Sequence, residues 1–517
     1  MWKFPKNFWR LSMFDKEKFL YNSDKKLFLG VDKVFHLLKD HYGPNSSHSL
    51  ENSSYSLLSK TVLSDPYENI GVDFVKSLSN KIYKKYNDGI TTAVLLLHSF
   101  LKNSYCLCDQ EISPYRLSIA LKKMGDILLS ALRNQSLPLK DKTKAKNIVF
   151  SALPDLEIAT EISEAFSQVG SEGFISVSHR ESTSMYITQG LYVPYGYVSP
   201  HFLVQSLPCS FTLSQPRVFV TDKDISTILH FLPLFQELQE HQEHLLLVCK
   251  DIDPDVLSTL TLNKLEKLLH IVVVCIPTTS SEENSFFEDI SLFTGTNVFS
   301  HSTSPMGPIP ERSSLGSCDF VEISEKHTMF MHDNGVSECL KLKIHQLDEE
   351  IRTNSCQNKK VKLIQRKRRL QSSVAILPIK ETLSFSYSIA LSTLTSAIES
   401  GYIPGGGAGI FYAALQLNNE KELSEEEKAA KTILQTSALI LIEQLANTAQ
   451  LDGAAIIDKL ITLATPSLGI NVLSKQIEDL IASGVLDPLG KTEDIFSFAL
   501  ETAITILSTK GVIHAPL

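Results

Sequence analysis

Apolar residues recur at helical spacing in the first part of the chain. Between Tyr115 and Asn134, the positions Leu117, Ile119, Ala120, Leu121, Met124, Ile127, Leu128, Ala131 and Leu132 predict one amphipathic helix, and both flanks read the same way. From about residue 173 to 335 the pattern changes to short β-rich runs, GFISVSH, RVFVTD, LLLVCK, HIVVVCI, DFVEIS and HTMFMH, alternating with helical segments, as in an α/β domain. Helical periodicity then returns in TLTSAIES, AAKTILQTSALILIEQLANTAQ and DIFSFALETAITILS. The order α, α/β, α predicts one helical domain built from both ends of the chain, with an α/β unit inserted between. The segments TTSSEENS and SHSTSPMGPIPERSS read as loops, and no repeat of solenoid period is present.

The 517 residues correspond to about three to four domains, which excludes a single small binding module. The charge balance is 49 basic against 58 acidic side chains, a net −9, so the chain as a whole has no electrostatic drive toward nucleic acid or anionic membrane. No apolar run has the length of a membrane-spanning helix. The opening MWKFPKNFWRLSMFDK is basic and aromatic without a continuous apolar core, which predicts a cytoplasmic location. The cysteines at 106, 108, 209, 249, 275, 318, 339 and 356 form no C-x-x-C pair, and Cys249 and Cys275 lie in apolar runs, so they read as reduced and structural.

The sharpest local signal is Asn87-Asp88-Gly89-Ile90-Thr91-Thr92, running into the apolar helix AVLLLHSFL. Gly89 permits a tight turn, and a helix N-terminus with threonine hydroxyls attracts phosphate. Asp88 supplies oxygen ligands suited to Mg²⁺. A second cluster, Gly405-Gly406-Gly407 after Pro404, also lies between helical runs and admits close approach of a ligand. Taken alone, each is equally an ordinary turn: Asp-Gly followed by a threonine cap, and a flexible connection between helices.

The arrangement resembles the GroEL-type group I chaperonin subunit over nearly the whole chain, from about Lys16 to Ile513. Tyr67-Glu68-Asn69-Ile70-Gly71 precedes the N-D-G-I-T-T loop, and Val169-Gly170-Ser171-Glu172-Gly173-Phe174-Ile175-Ser176-Val177 is similar to the family's V-G-K-E-G-V-I-T-V. Gly196-Tyr197-Val198-Ser199-Pro200-His201-Phe202 is similar to G-Y-L-S-P-Y-F, Gly401 to Gly407 to G-[VI]-V-[AP]-G-G-G, and Gly484-Val485-Leu486-Asp487-Pro488 to G-I-L-D-P.

The resemblance implies an α-rich multidomain, GroEL-like fold. A split all-α equatorial nucleotide-binding domain would comprise 1–134 and 400–517, a small intermediate hinge domain 135–188 and 368–399, and an inserted α/β apical domain 189–367. It implies ATP with Mg²⁺ as cofactors. Nucleotide contacts fall on His41, Tyr42, Gly43, Pro44, Asp88, Gly89, Ile90, Thr91, Thr92, Gly406, Asn471, Val472, Leu473 and Asp487, with the metal on Asp88. Unfolded polypeptide would meet Tyr197, His201, Phe202, Leu232, Phe235, Leu257, Thr261 and Leu262. Further partners implied are a GroES-type co-chaperonin and other subunits, in a ring homo-oligomer or mixed ring. Independently of the family, the apolar residues of Ile228 to Leu238 span roughly 220° of a helical wheel, about twice what one core requires. The surplus is either buried by further protein or exposed to clients; Leu257, Leu260 and Leu262 on the Pro254–Lys267 helix would extend it.

Departures from the family cluster in the chemistry. G-D-G-T-T-T has become N-D-G-I-T-T, and the K-D-G element expected before Y-E-N-I-G falls in Asn45 to Ser64, which contains no aspartate. Ile389 occupies the place of the family's second hydrolytic aspartate, and losing a water-orienting carboxylate removes about 10² to 10⁴ in rate. The G-F-G-D-R-R loop is replaced by Thr278-Thr279-Ser280-Ser281-Glu282-Glu283, and His514-Ala515-Pro516-Leu517 replaces a Gly-Met-rich tail, so ring formation is not assumed. The basic run Lys359, Lys360, Lys362, Arg366, Lys367, Arg368 and Arg369 lacks interleaved aromatics and reads as a solvated helical face. The leading reading is a divergent chaperonin-like paralogue that binds non-native polypeptide with weak or absent ATP hydrolysis. The alternatives are a fully active ATP-driven folding machine and, third, a nucleic-acid-binding or scaffold role.

Overall fold

The computed structural model describes residues 19–21, 24–43, 53–108, 112–170, 173–178, 185–202, 210–277, 281–299, 311–325, 327–332, 338–354, 357–420, 422–463, 465–509 and 511–513. Its contacts divide the chain into two compact units, Met1–Ser167 with Lys380–Leu517, and Gln168–Ile379. The first joins both ends of the chain. The segments read from the sequence as a hinge domain are shared between the two units, 135–167 and 380–399 in the first, 168–188 and 368–379 in the second.

The first unit is helical. Its core is shared by the Asp24–Leu38, Pro66–Tyr86, Ile90–Cys108, Pro114–Arg133, Glu425–Thr448 and Leu489–Ser508 helices, where Leu27, Val75, Leu96, Phe100, Leu121, Ile433 and Phe496 are buried together. The helix read from the sequence over 115–134 is the Pro114–Arg133 helix. Local chemistry sets the boundaries: the Asp65 carboxylate accepts from the N–H groups of Tyr67 and Glu68 ahead of Pro66, and Ser424 forms a reciprocal cap with Glu427. Gly71 of the Y-E-N-I-G marker has a packing role, since a Cβ there would run into the Leu27 carbonyl where two helices cross. Tyr402–Pro404 pairs antiparallel with Leu486–Pro488, placing Ile403 opposite Asp487.

The second unit contains the predicted strands. Arg217–Val220, Leu245–Cys249 and Ile271–Cys275 form a parallel core sheet edged by antiparallel Gly316–Ser317. The Leu245–Cys249 and Ile271–Cys275 strands are apolar on both faces, as strands covered on both sides must be. A six-stranded sheet runs Phe174–Ser178, Ser373–Pro378, Tyr186–Val193, Thr328–His332, Phe320–Ser324 and Ser210–Ser214, parallel only in its first pair. Two sequence expectations are corrected here. The helix read over Ile228 to Leu238 is a 3₁₀ turn at Leu229–Phe231 followed by the Leu232–Glu240 helix, because Pro233 is compatible with a first turn and not with a helix interior. The next helix spans Pro254–Leu265 rather than reaching Lys267, which adopts a left-handed φ of +58°. Cys249 and Cys275 are free thiols 3.5 Å apart on neighbouring strands.

Candidate functional site

The N-D-G loop is built by the end of one helix and the start of the next. Asn87 closes the Pro66–Tyr86 helix at φ +56°, its N–H donating to the Tyr83 carbonyl at 2.9 Å. Gly89 follows at φ +95°, a conformation strained for any residue with a side chain, and a Cβ there would lie 2.5 Å from Ile495 Cδ1, which would have to shift. The Ile90–Cys108 helix then presents its N-terminus, with Thr92 half-buried and Thr91 buried. Ile90 is buried in the helical core.

The glycine turn comes from the other half of the chain. Gly405 donates to the Val485 carbonyl at 3.0 Å, and Gly406, at φ +62°, directs its N–H to the Asp487 carboxylate. Gly43, at φ +109°, and Gly406 face the same side chain: a Cβ on either would lie 3.3 or 3.1 Å from a methyl of Leu445. Tyr42 and Val472 pack on the core that contains Leu445 and Ile470. Asn471 accepts from the Leu473 N–H at 3.0 Å and donates to Glu478, and Leu473 is exposed. The structure therefore gathers Tyr42, Gly43, Gly406, Asp487 and the Asn471–Leu473 turn; Pro44 lies outside the described residues.

Electrostatics mark the same place. Burial pushes the Asp487 carboxyl up to about 6; Lys491 and the Gly406 N–H oppose the shift, and Asp88 adds to it. Burial and the Asp487 charge together raise the Tyr42 hydroxyl. Lys491 Nζ lies 2.5 Å from Asp88 Oδ2.

Beside this cluster a cleft is lined by His41, Ser53, Ser54, Tyr55, Tyr83, Asn87, Asp88, Gly89, Ile90, Thr91, Phe385 and Ile389. Asp88 is its one carboxylate among the described residues. Ser54 and Thr91 share a hydroxyl hydrogen bond of 2.9 Å, and Tyr55 stacks on Tyr83 at 4.0 Å between ring centres. Ile389 is 2% exposed and forms the wall with Phe385.

A magnesium ion at Asp88 does not fit this arrangement. Mg²⁺ takes oxygen ligands at about 2.0–2.1 Å, whereas Asp88 Oδ2 already holds a buried ammonium.

The residues assigned to polypeptide lie in the second unit. Tyr197 bridges to Val274, and the neighbouring Val198 N–H donates to the Val273 carbonyl at 3.1 Å, which fixes this segment at a sheet edge. Leu232 and Leu262 are 43% and 60% exposed, His201 is exposed, and Tyr197, Phe235, Leu257 and Thr261 are half-buried. Phe202 is fully buried, a correction to its reading as a contact: it fills the core between the sheet and the Pro254–Leu265 helix. Leu229, one of the apolar residues of the Ile228 to Leu238 arc, is exposed, as are Leu265 and Leu268, which sequence periodicity did not single out.

The basic run lies on the Gln357–Leu370 helix, and much of it is engaged within the fold. Arg366 and Arg369 both pair with the fully buried Asp289, Arg366 also reaches Glu288, Arg369 lies over the Phe286 ring, and Lys367 pairs with Asp348. The expectation of a solvated face is corrected for Arg366, Lys367 and Arg369, whose charges are taken up by carboxylates of the same unit.

Sequence reasoning missed Lys491, Ser54, Tyr55, Tyr83 and Phe385. Lys491 carried a signal: a lysine in the first turn of a helix stands at the positive end of the dipole and needs a carboxylate partner.

A helical unit made from both chain ends, with glycine turns from each end converging on one acidic cluster and an α/β unit inserted between, defines the chaperonin subunit class. The TCP-1/cpn60 chaperonin family model matches residues 44–516, and the chain belongs to that family. It is 28% identical over 476 residues to Chaperonin GroEL 3 of Protochlamydia amoebophila (strain UWE25), covering 90% of this chain and 89% of the relative. Its fold is similar, with a TM-score of 0.70 at 14% identity, to the crystal structure of chaperonin gp146 from bacteriophage EL 2 (Pseudomonas aeruginosa) in the presence of ATP-BeFx, over 97% of this chain and all of that one.

Proposed function

We propose that this chaperonin-family chain binds non-native polypeptide on the apolar helices of its inserted unit, assists folding, and hydrolyses ATP weakly or not at all. The observation that carries the reading is the cleft beside the N-D-G loop, which is lined by a Ser54–Thr91 hydroxyl pair and the buried Ile389 and whose one carboxylate among the described residues, Asp88, is paired with Lys491. Nucleotide would be held by Tyr42 and Gly43, by the Asp88–Thr92 loop and helix N-terminus, by Gly406 and Asp487, and by the Asn471–Leu473 turn. The division into equatorial (1–134, 400–517), hinge (135–188, 368–399) and apical (189–367) domains belongs to the same reading. So do a cytoplasmic location, ring assembly with itself or a mixed partner, and a GroES-type co-chaperonin.

Three measurements on the purified full chain test this: suppression of aggregation of a denatured client, steady-state phosphate release, and native mass. The expected result is client protection without turnover. Normal turnover with client release on ATP addition would establish the fully active machine instead.

A further inference from the structure

Lys491 is 7% exposed, and lysine is rarely buried without a partner. It lies in the first turn of the Leu489–Ser508 helix, where the helix dipole disfavours a cation. Its position is nevertheless fixed: its N–H is held by Ser396 Oγ at 3.0 Å, and that of Gly490 by Ser400 Oγ at 2.8 Å. The stem runs beneath the loop, with Cε 3.5 Å from where a Cβ on Gly89 would stand. The ammonium meets Asp88 at 2.5 Å and lies within the field of Asp487. A cation is therefore built into the place that the family likeness assigns to the metal.

We propose that Lys491 is the resident cation of this pocket and that the pocket binds the polyphosphate of a nucleoside triphosphate without a divalent metal. The proposal rests on the nucleotide-binding reading above. An ammonium has three donors, so it can remain on Asp88 while donating to a phosphate oxygen. The N-terminus of the Ile90–Cys108 helix adds the dipole and N–H groups that favour an anion there. A hydrated Mg²⁺ would have to displace the lysine and shed water to reach the same carboxylate.

The test is calorimetric titration of the full chain with ATP, in excess EDTA and again in excess Mg²⁺, for the wild type and Lys491→Met. The wild type should bind equally well in both, and Lys491→Met should lose about tenfold or more in EDTA. Binding by the wild type only with Mg²⁺ overturns the proposal and leaves the nucleotide reading standing; no binding in either condition overturns both. Lys491→Met binding unchanged in EDTA removes the lysine from the role. Should that variant fail to fold, Mn²⁺ titration of the nucleotide-free wild type, followed by electron paramagnetic resonance, decides. Free Mn²⁺ throughout is expected, and a stoichiometric site lost in Asp88→Asn overturns the proposal.

Discussion

The Ser54 hydroxyl lies 2.9 Å from the Thr91 hydroxyl and ties the Ser54–Ser59 helix, inside the aspartate-free segment, to the first turn of the Ile90–Cys108 helix. Neither group is a general base at neutral pH, and the remaining carboxylate of the cleft is paired with a lysine. Steady-state phosphate release should therefore be at background and stay there in Ser54→Ala. Turnover at an ordinary chaperonin rate, abolished by Asp88→Ala, would refute this.

Ile389 tests whether the site is one residue from complete. The side chain is 2% exposed and adjoins Phe385. Ile389→Asp would bury a carboxylate without a partner, at a cost of several kcal/mol, and residues that act as a unit in catalysis return little when only one is restored. Thermal melting should fall clearly while turnover stays at background. A stable variant with robust turnover would show that erosion was confined to this position.

On the inserted unit, exposure separates client contacts from core. Leu232→Glu and Leu262→Glu should leave melting nearly unchanged, because these side chains already meet solvent, and should abolish protection of a denatured client. Phe202→Glu should unfold the unit, since a charge would replace a fully buried ring. Unfolding by Leu262→Glu, or unimpaired client protection in both leucine variants, would remove this surface from the role.

What the sequence made legible was periodic or punctuated. The strands LLLVCK and IVVVCI are apolar without interruption because both faces are covered, and the N-D-G loop declares itself by a glycine in a left-handed conformation that strains any other residue. The Ile228–Leu238 helix failed at Pro233, where summed apolar periodicity hid a local break in hydrogen bonding. Phe202 was misread because a motif carries identity and not exposure. The Lys491–Asp88 pair joins residues 403 apart in the chain, which no local pattern encodes, and only the dipole conflict at Lys491 hinted at it.

Glu243 offers a check of the inserted unit by pH. It follows the Leu232–Glu240 helix and accepts from Arg312 at 2.7 and 2.8 Å and from Arg217 at 3.0 Å, joining three parts of the unit. The two guanidiniums, Arg312 foremost, hold its carboxyl at about 2, below the ordinary 4.5. The folded value is depressed, so the stabilisation is fully present above 4.5 and is lost as pH falls toward 2. The shift corresponds to at most about 3 kcal/mol, less whatever solvent screening removes from partly exposed partners. The melting difference between wild type and Glu243→Gln should therefore be constant from neutral pH down to about 5 and shrink steadily below it. Because every other acid titrates alike in both proteins, the difference isolates this carboxylate. A difference that persists undiminished at pH 2 would mean that Glu243 acts through packing and not through its charge.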